Sequence, residues 1–274
     1  MLTSKDAPLW MWVLRLIGGL IIFITLSGIA QLPLMVFKSN LPIILSCIVL
    51  SSLVLLAYYG WYGLTEGCRA TDLSMCRLMP EICKGLLVGA IYFVIVVGIM
   101  MLVGFYRVQS FQFDAITQLA QFSFFLTVAV GEEIIFRGIL FRMIDVRWNT
   151  WIALVVSTLF FGLVHIVNPG ATWWSTLAIA LESGLLLGAA YKFSGTLWLP
   201  IGIHWAWNYT QGNVFGFAVS GNEAGASIIT PLVEGPDFLT GGIFGAEASI
   251  IAVIIGMLFA WFFIRKIVIR EKKE

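Results

Sequence analysis

The sequence predicts an all-α polytopic membrane helix bundle of about eight transmembrane helices, and three observations carry that prediction. Hydrophobic residues make up 60% of the 274 and charged residues only 11%, against roughly 25% charged in a soluble domain. The apolar residues gather in runs near the ~20 residues that a helix needs to cross the hydrocarbon core. Ten-residue stretches of alternating hydrophobicity, which a membrane barrel requires, are absent. A net charge of +1, from 16 Lys and Arg against 15 Asp and Glu, offers no field for nucleic acid or another polyanion, so no nucleic-acid partner is expected.

The runs fall at about 16–37, 41–62, 85–106, 116–140, 149–167, 173–192, 196–219 and 247–268. The first exceeds the ~7 to 15 apolar residues of a signal peptide and has no small-residue cleavage pattern after it, so it is read as a retained span. Orientation follows from Lys and Arg between runs. With the N-terminus inside, the inner segments hold Lys5 and Arg15, then Arg69, Arg77 and Lys84, then Arg137, Arg142 and Arg147, then Lys192, and the tail adds Arg265, Lys266, Arg270, Lys272 and Lys273. Those are 14 inner cations against Lys38 and Arg107 outside, which places both termini in the cytoplasm. Neither an internal repeat nor a low-complexity linker divides the chain, so residues 1–274 are expected to form a single integral membrane domain. The Gly-rich segment 220–246 is expected on the outer face, folding partly back over the bundle. Cys47, Cys68, Cys76 and Cys83 fit no common zinc spacing and read as inert thiols.

An ionisable side chain at membrane depth costs about 2.5 to 3.5 kcal/mol even on lenient scales, so each one needs a reason. The fourth run carries Glu132, Glu133 and Arg137 in GEEIIFRG. Glu133 and Arg137 stand four apart on one helical face and can neutralise each other. Glu132 is rotated by about 100° from that face and is left over. The fifth run puts Phe161 and His165 on one face at the same spacing, and the seventh does so for His204 and Asn208. His165 and His204 are the two histidines of the chain. Taken singly, each feature reads as structural: a His or Asn linking helices, an acid–base pair as a brace, Glu182 in the sixth run as an interhelical hydrogen bond. The pairs Trp173 with Trp174 and Trp205 with Trp207 read as interface anchors and packing residues. Their co-occurrence on three runs shifts the balance. A carboxylate, two imidazoles and an amide can split an amide bond with water, one group moving the proton and others holding the oxyanion.

At these residues the sequence resembles the CPBP family, the CAAX-protease and bacteriocin-processing (Abi) proteins, which are intramembrane endopeptidases related to the eukaryotic prenyl-protein protease that trims CAAX tails. The family's EExxxR motif is matched by Glu132, Glu133 and Arg137, its FxxxH by Phe161 and His165, and its HxxxN by His204 and Asn208. The flanking text GLLLGAAYKFSGTLWLPIGIHWAWN agrees, and the resemblance covers about 116–210, the expected catalytic core. The stretch GPDFLTGGIFGAEASI resembles the ending of many bacterial members. The resemblance implies that Glu132 is a general base which, with His165, activates water, that His204 and Asn208 form an oxyanion hole, and that Glu133 and Arg137 brace the site. No cofactor is expected, zinc being possible but disfavoured.

Helical rise places Glu132 roughly 12 to 20 Å from the inner end of its helix, His204 about 12 Å and His165 about 23 Å. Convergence therefore requires the fourth helix to extend toward Asp145, or the helices to tilt. Three rivals remain: a zinc-dependent version with Glu132, His165 and His204 as ligands, although HExxH is absent; a bacteriocin-immunity or scaffold protein that needs no proteolysis; and, further off, a proton-coupled transporter using Glu182 and Glu132. The expected partner is a membrane-associated peptide or protein, lipidated or not, in a bacterial plasma membrane.

Overall fold

The computed structural model describes residues 3–223 and 225–272; Lys273, counted with the basic tail, lies outside the described residues. Eight long helical units occupy the eight apolar runs. The first three are α1, Leu9–Gln31, α2, Asn40–Glu66, and α3, Leu78–Leu102. α4 runs unbroken from Ala115–Glu133 through a π-helical stretch, Ile134–Phe141, into Arg142–Arg147. α5 is Thr150–Val164, closed by the 3-10 turn His165–Val167. α6 joins Trp173–Ile179, a π-turn Ala180–Gly184 and Leu185–Ser194. α7 joins Trp198–Tyr209 to a π-turn Thr210–Val214, and α8 is Ile250–Glu271.

Local chemistry sets several of these ends. Asp114 accepts the Thr117 N–H at the start of α4, Asn149 accepts the Ile152 N–H at the start of α5, and Thr172 with Ser175 forms a capping box on α6. Each satisfies backbone donors that a helix start leaves open. α6 stops at Gly195, whose φ of 67° is the left-handed conformation that glycine adopts without a steric penalty.

Among the described residues six helical spans are long and apolar enough to cross a membrane: Leu9–Val36, Asn40–Glu66, Met75–Leu102, Thr150–Val167, Trp173–Ser194 and Ile250–Glu271. The expected set of eight like spans thus divides into six apolar helices and two of a different kind. α4 is interrupted by Glu132, Glu133 and Arg137, and α7 is short, with 12 α-helical and 5 π-helical residues. These two form the centre. Residues 133–144 of α4 are all buried, as are 196–204 of α7, whereas Leu14, Ile21 and Leu56 on α1 and α2 are more than 60% exposed. Polar chemistry inside and aliphatic residues outside is the pattern that a lipid solvent selects.

Helix association in lipid draws on close packing rather than on a hydrophobic drive. The α3–α7 contact illustrates this. A Cβ on Gly85 would lie 2.5 Å from the Leu199 carbonyl oxygen, and one on Gly202 would lie 2.7 Å from that of Ile82. Only glycine lets the two backbones approach so closely, and this contact seats α7 beside α3.

The connections sort to two ends. Arg147 donates to the Ala7 carbonyl, Lys192 pairs with Asp145 at 2.8 Å, and the Leu197 N–H donates to Asp72 O, which gathers the segments around 7, 72, 145 and 195. At the other end β1, Tyr106–Phe111, pairs antiparallel with β2, Ile229–Val233. The helical fold class therefore carries a two-stranded ribbon that hydrophobic periodicity did not disclose. Its register slips between Val108 and Ser110, beside Pro231, which has no N–H to give to a ladder. The 220–246 segment folds back over the bundle as expected: Gln118 on α4 and Asn213 on α7 both donate to the Ala226 carbonyl. Arg137 and Arg142, counted above among inner-segment cations, are buried on α4; the bias toward the basic end survives without them.

Candidate active site

Two features of the helices bring the motif residues level. α4 extends past Asp145 to Arg147, so Glu132 stands 15 residues from its end, and His165 stands 15 residues from the start of α5. Both are about 22 Å from the same end of the bundle at helical rise. α7 follows Thr196 and Leu197, which are fully buried, and the Leu197 N–H is tied to the Asp72 carbonyl.

Phe161 is the hub. Its ring centroid lies 5.0 Å from that of His165, 6.1 Å from that of His204 and 4.9 Å from that of Phe136, and the Arg137 guanidinium sits 4.5 Å from it. One aromatic side chain therefore touches residues of all three motifs.

Glu133 and Arg137 are completely buried and paired at 2.8 Å, and Arg137 also donates to the Gly184 carbonyl on α6 at 3.1 Å. Burial of a charge is tolerable only with such pairing. Arg137 lies within the π-helical stretch of α4, a rare wide turn that frees backbone carbonyls for other donors. The Gly138 carbonyl accepts from Arg142 Nε at 2.8 Å and from the Tyr58 hydroxyl at 3.1 Å.

His204 lies between two adjacent carboxylates: its Nδ1 is 2.9 Å from Glu133 Oε1 and its Nε2 is 3.9 Å from Glu132 Oε2. Since Glu133 accepts, Nδ1 carries a proton and Nε2 faces Glu132. The same argument fixes His165, whose Nδ1 is 2.6 Å from the Phe161 carbonyl oxygen. A carbonyl can only accept, so Nδ1 is the donor and the lone pair of the neutral ring falls on Nε2. Glu132 is partly exposed, and its Oε2 has no hydrogen-bond partner among the described residues. The buried Asn208, one turn beyond His204, likewise makes no side-chain hydrogen bond among them.

Glu133, and Glu132 at longer range, thus face the His204 ring. The close contacts of Glu132 and Glu133 are with His204, while the hydrogen bond of His165 goes to its own helix. The backbone carbonyls of Phe161 and Gly184, which orient His165 and Arg137, carried no signal in side-chain spacing. Among the described residues no group of three or more His, Cys, Asp and Glu is placed to hold a metal ion. Glu182 accepts from the Tyr92 hydroxyl on α3 at 2.6 Å, the interhelical bond that its position implied. Of the tryptophans, Trp173 is exposed, whereas Trp207 is buried and stacks on Tyr92 with ring centroids 4.1 Å apart.

Residues 114–210, which span α4 to α7 and contain all three motifs, match the family described as type II CAAX prenyl endopeptidase Rce1-like. The segment is Rce1-like. That match is consistent with a CPBP-family intramembrane protease, and with six apolar spans it marks the chain as an integral, multi-pass membrane protein. Neither a curated protein nor a solved structure gives a match to the chain. The Rce1-like segment begins at Asp114, the cap of α4, and ends one residue past Tyr209, so it takes in both polar helices and the two that lie between them in the sequence.

Proposed function

We propose that this protein is an intramembrane glutamate-dependent endopeptidase acting on the CAAX-type tail of a membrane-associated, prenylated protein or peptide. The observation that carries the reading is that both histidine rings lie beside Phe161, with Glu132 3.9 Å from His204, within the Rce1-like segment.

Glu132 takes a proton from water, helped by the free Nε2 of His165, and the water oxygen attacks the scissile carbonyl carbon. The oxyanion that forms is held by Nε2–H of a doubly protonated His204, neutralised by Glu133, and by the Asn208 amide. Glu132 then returns its proton to the leaving nitrogen as the C–N bond breaks, giving a carboxylic acid and an amine; the acid then passes its proton to the amine, so the products leave as carboxylate and ammonium. The unpartnered Glu132 Oε2 and the unengaged Asn208 amide support these assignments, because each is available to a reactant. Arg137, locked by Glu133 and Gly184, keeps both carboxylates in place. The mechanism requires no metal or cofactor.

Eight passes, with the basic end and both termini in the cytoplasm of a bacterial plasma membrane, belong to the same proposal. Support comes from the gathering of alternate connections at one end, where Arg69, Arg77, Arg147 and Lys192 also lie. The decisive experiment is cleavage of a prenylated CAAX peptide by purified protein in lipid. Wild type should release the tail and folded Glu132→Gln should not; equal cleavage by both would overturn the reading.

A further inference from the structure

Glu247 is 2% exposed and stands on the turn Ala246–Ala248, just ahead of α8. Its carboxylate accepts the backbone N–H of Ser220 and lies within electrostatic reach of the Trp207 and Gln211 side chains, Gln211 itself donating to the neighbouring Ala218 carbonyl at 2.6 Å. Trp207 stands between His204 and Asn208 on α7, and Gln211 follows one turn after Trp207. On the other side the Ser220 carbonyl accepts from Asn168 Nδ2 at 2.9 Å, and the Asn168 N–H donates to the His165 carbonyl at 3.1 Å. One buried carboxylate therefore joins the segments that carry the two histidines, which no hydrogen bond links directly among the described residues.

Two further observations show that this junction is held under constraint. Ser220 has φ of 48°, the left-handed region that a non-glycine residue adopts only when its surroundings impose it. Trp207 is pinned from behind by the stacked Tyr92, which is itself bonded to Glu182 and to the Ala252 carbonyl. A carboxylate accepts through two oxygens and can serve donors on two sides at once; a carboxamide has only one accepting oxygen, and its NH2 would face a donor.

We infer that Glu247 is a positioning residue: through Trp207 and Gln211 on one side, and Ser220 and Asn168 on the other, it sets His204 and Asn208 against His165. The inference rests on the proposed endopeptidase reading for its catalytic consequence, but its geometric content can be measured separately. Misplacement by about 1 Å can cost on the order of 100-fold in rate.

The test compares wild type, Glu247→Gln and Glu247→Ala by kcat and KM per mole of folded enzyme on a prenylated CAAX peptide. In parallel, spin labels at Val167→Cys and Val214→Cys, in a background whose four native cysteines are replaced by serine, report the distance between the two segments by pulsed electron resonance. Expected are a fall in kcat of about tenfold for Gln and about 100-fold for Ala, KM within about twofold of wild type, and a shifted or broadened label distance in each variant. If Glu247→Ala does not fold, Glu247→Gln decides. Wild-type kcat in folded Glu247→Gln overturns the inference, and so does an unchanged label distance whatever the kcat. If wild type itself cleaves nothing while the distance moves in the variants, the endopeptidase reading fails and the positioning role stands.

Discussion

His204 donates from Nδ1 to Glu133 Oε1 across 2.9 Å, and the same carboxylate oxygen takes the Arg137 guanidinium at 2.8 Å. Glu133 is thus the shared counter-ion of an arginine and a histidine on different helices, with no exposure of its own. Glu133→Ala should leave Arg137 buried and unpaired, a loss of about 3 to 5 kcal/mol for a broken buried pair. Thermal unfolding in detergent would show it as a large drop in midpoint. Glu133→Gln, which keeps an acceptor, should unfold nearer to wild type but lose peptide cleavage, because the His204 ring is no longer neutralised. A cleaving Glu133→Gln enzyme would remove Glu133 from the mechanism.

Arg137→Lys tests the fork rather than the charge. The guanidinium reaches Glu133 with one nitrogen and the Gly184 carbonyl with another while covering the Phe161 ring. An ammonium is a single point donor and lacks the planar face. The variant should therefore be destabilised by roughly 1 to 3 kcal/mol through the Gly184 carbonyl it leaves unpaired, with cleavage reduced in proportion to the displacement of Phe161. Unfolding midpoints and kcat on the same samples would measure both effects; a Lys variant equal to wild type in both would show that charge alone suffices.

How much of this was legible in the sequence depends on range. Spacing of three or four residues along one helix is written locally, so Glu133 with Arg137, Phe161 with His165 and His204 with Asn208 could be paired by inspection. Runs of apolar residues likewise located all eight helical units. Which helix meets which is not local. The contact of Glu133 with His204 depends on where α7 is seated, which depends on the close approach of Gly85 and Gly202, and neither glycine differs in the sequence from the other 25. The π-helical stretches have no known spacing signature and occur beside Arg137, Glu182 and Asn208. Glu247 was passed over for a further reason: its partners are a backbone N–H and two side chains 36 and 40 positions away.

Glu247 also makes stability depend on pH. Burial pushes its carboxyl up to about 7 from an ordinary 4.5, against Ser220, Trp207 and Gln211, which pull it down. The buried Glu182 carboxyl feels its charge, and Glu182 accepts from the Tyr92 hydroxyl. Between about pH 4.5 and 7 the folded protein holds a proton that the unfolded chain has released. The contribution is therefore complete below the unfolded value and is lost as pH rises through the folded one, by on the order of 3 kcal/mol in total. Unfolding midpoints from pH 5 to pH 8 should fall more steeply for wild type than for Glu247→Gln, which has no proton to lose. Parallel curves would mean that Glu247 does not titrate in that window.

Gly85→Ala separates packing from chemistry. The added methyl would lie 2.5 Å from the Leu199 carbonyl oxygen and 2.7 Å from the Gly202 Cα, both backbone atoms that cannot rotate away. α3 and α7 must then part. Overpacking of this kind costs about 1 to 3 kcal/mol, and because α7 carries His204 and Asn208 the displacement reaches the oxyanion side of the site while Glu132 and His165 stay on α4 and α5. Cleavage should fall by more than the loss of folded protein accounts for, with kcat affected rather than KM. A Gly60→Ala control, where the methyl meets nothing within 4 Å, should leave both stability and cleavage unchanged. Full activity in folded Gly85→Ala would show that the placement of α7 against α3 does not set the position of His204.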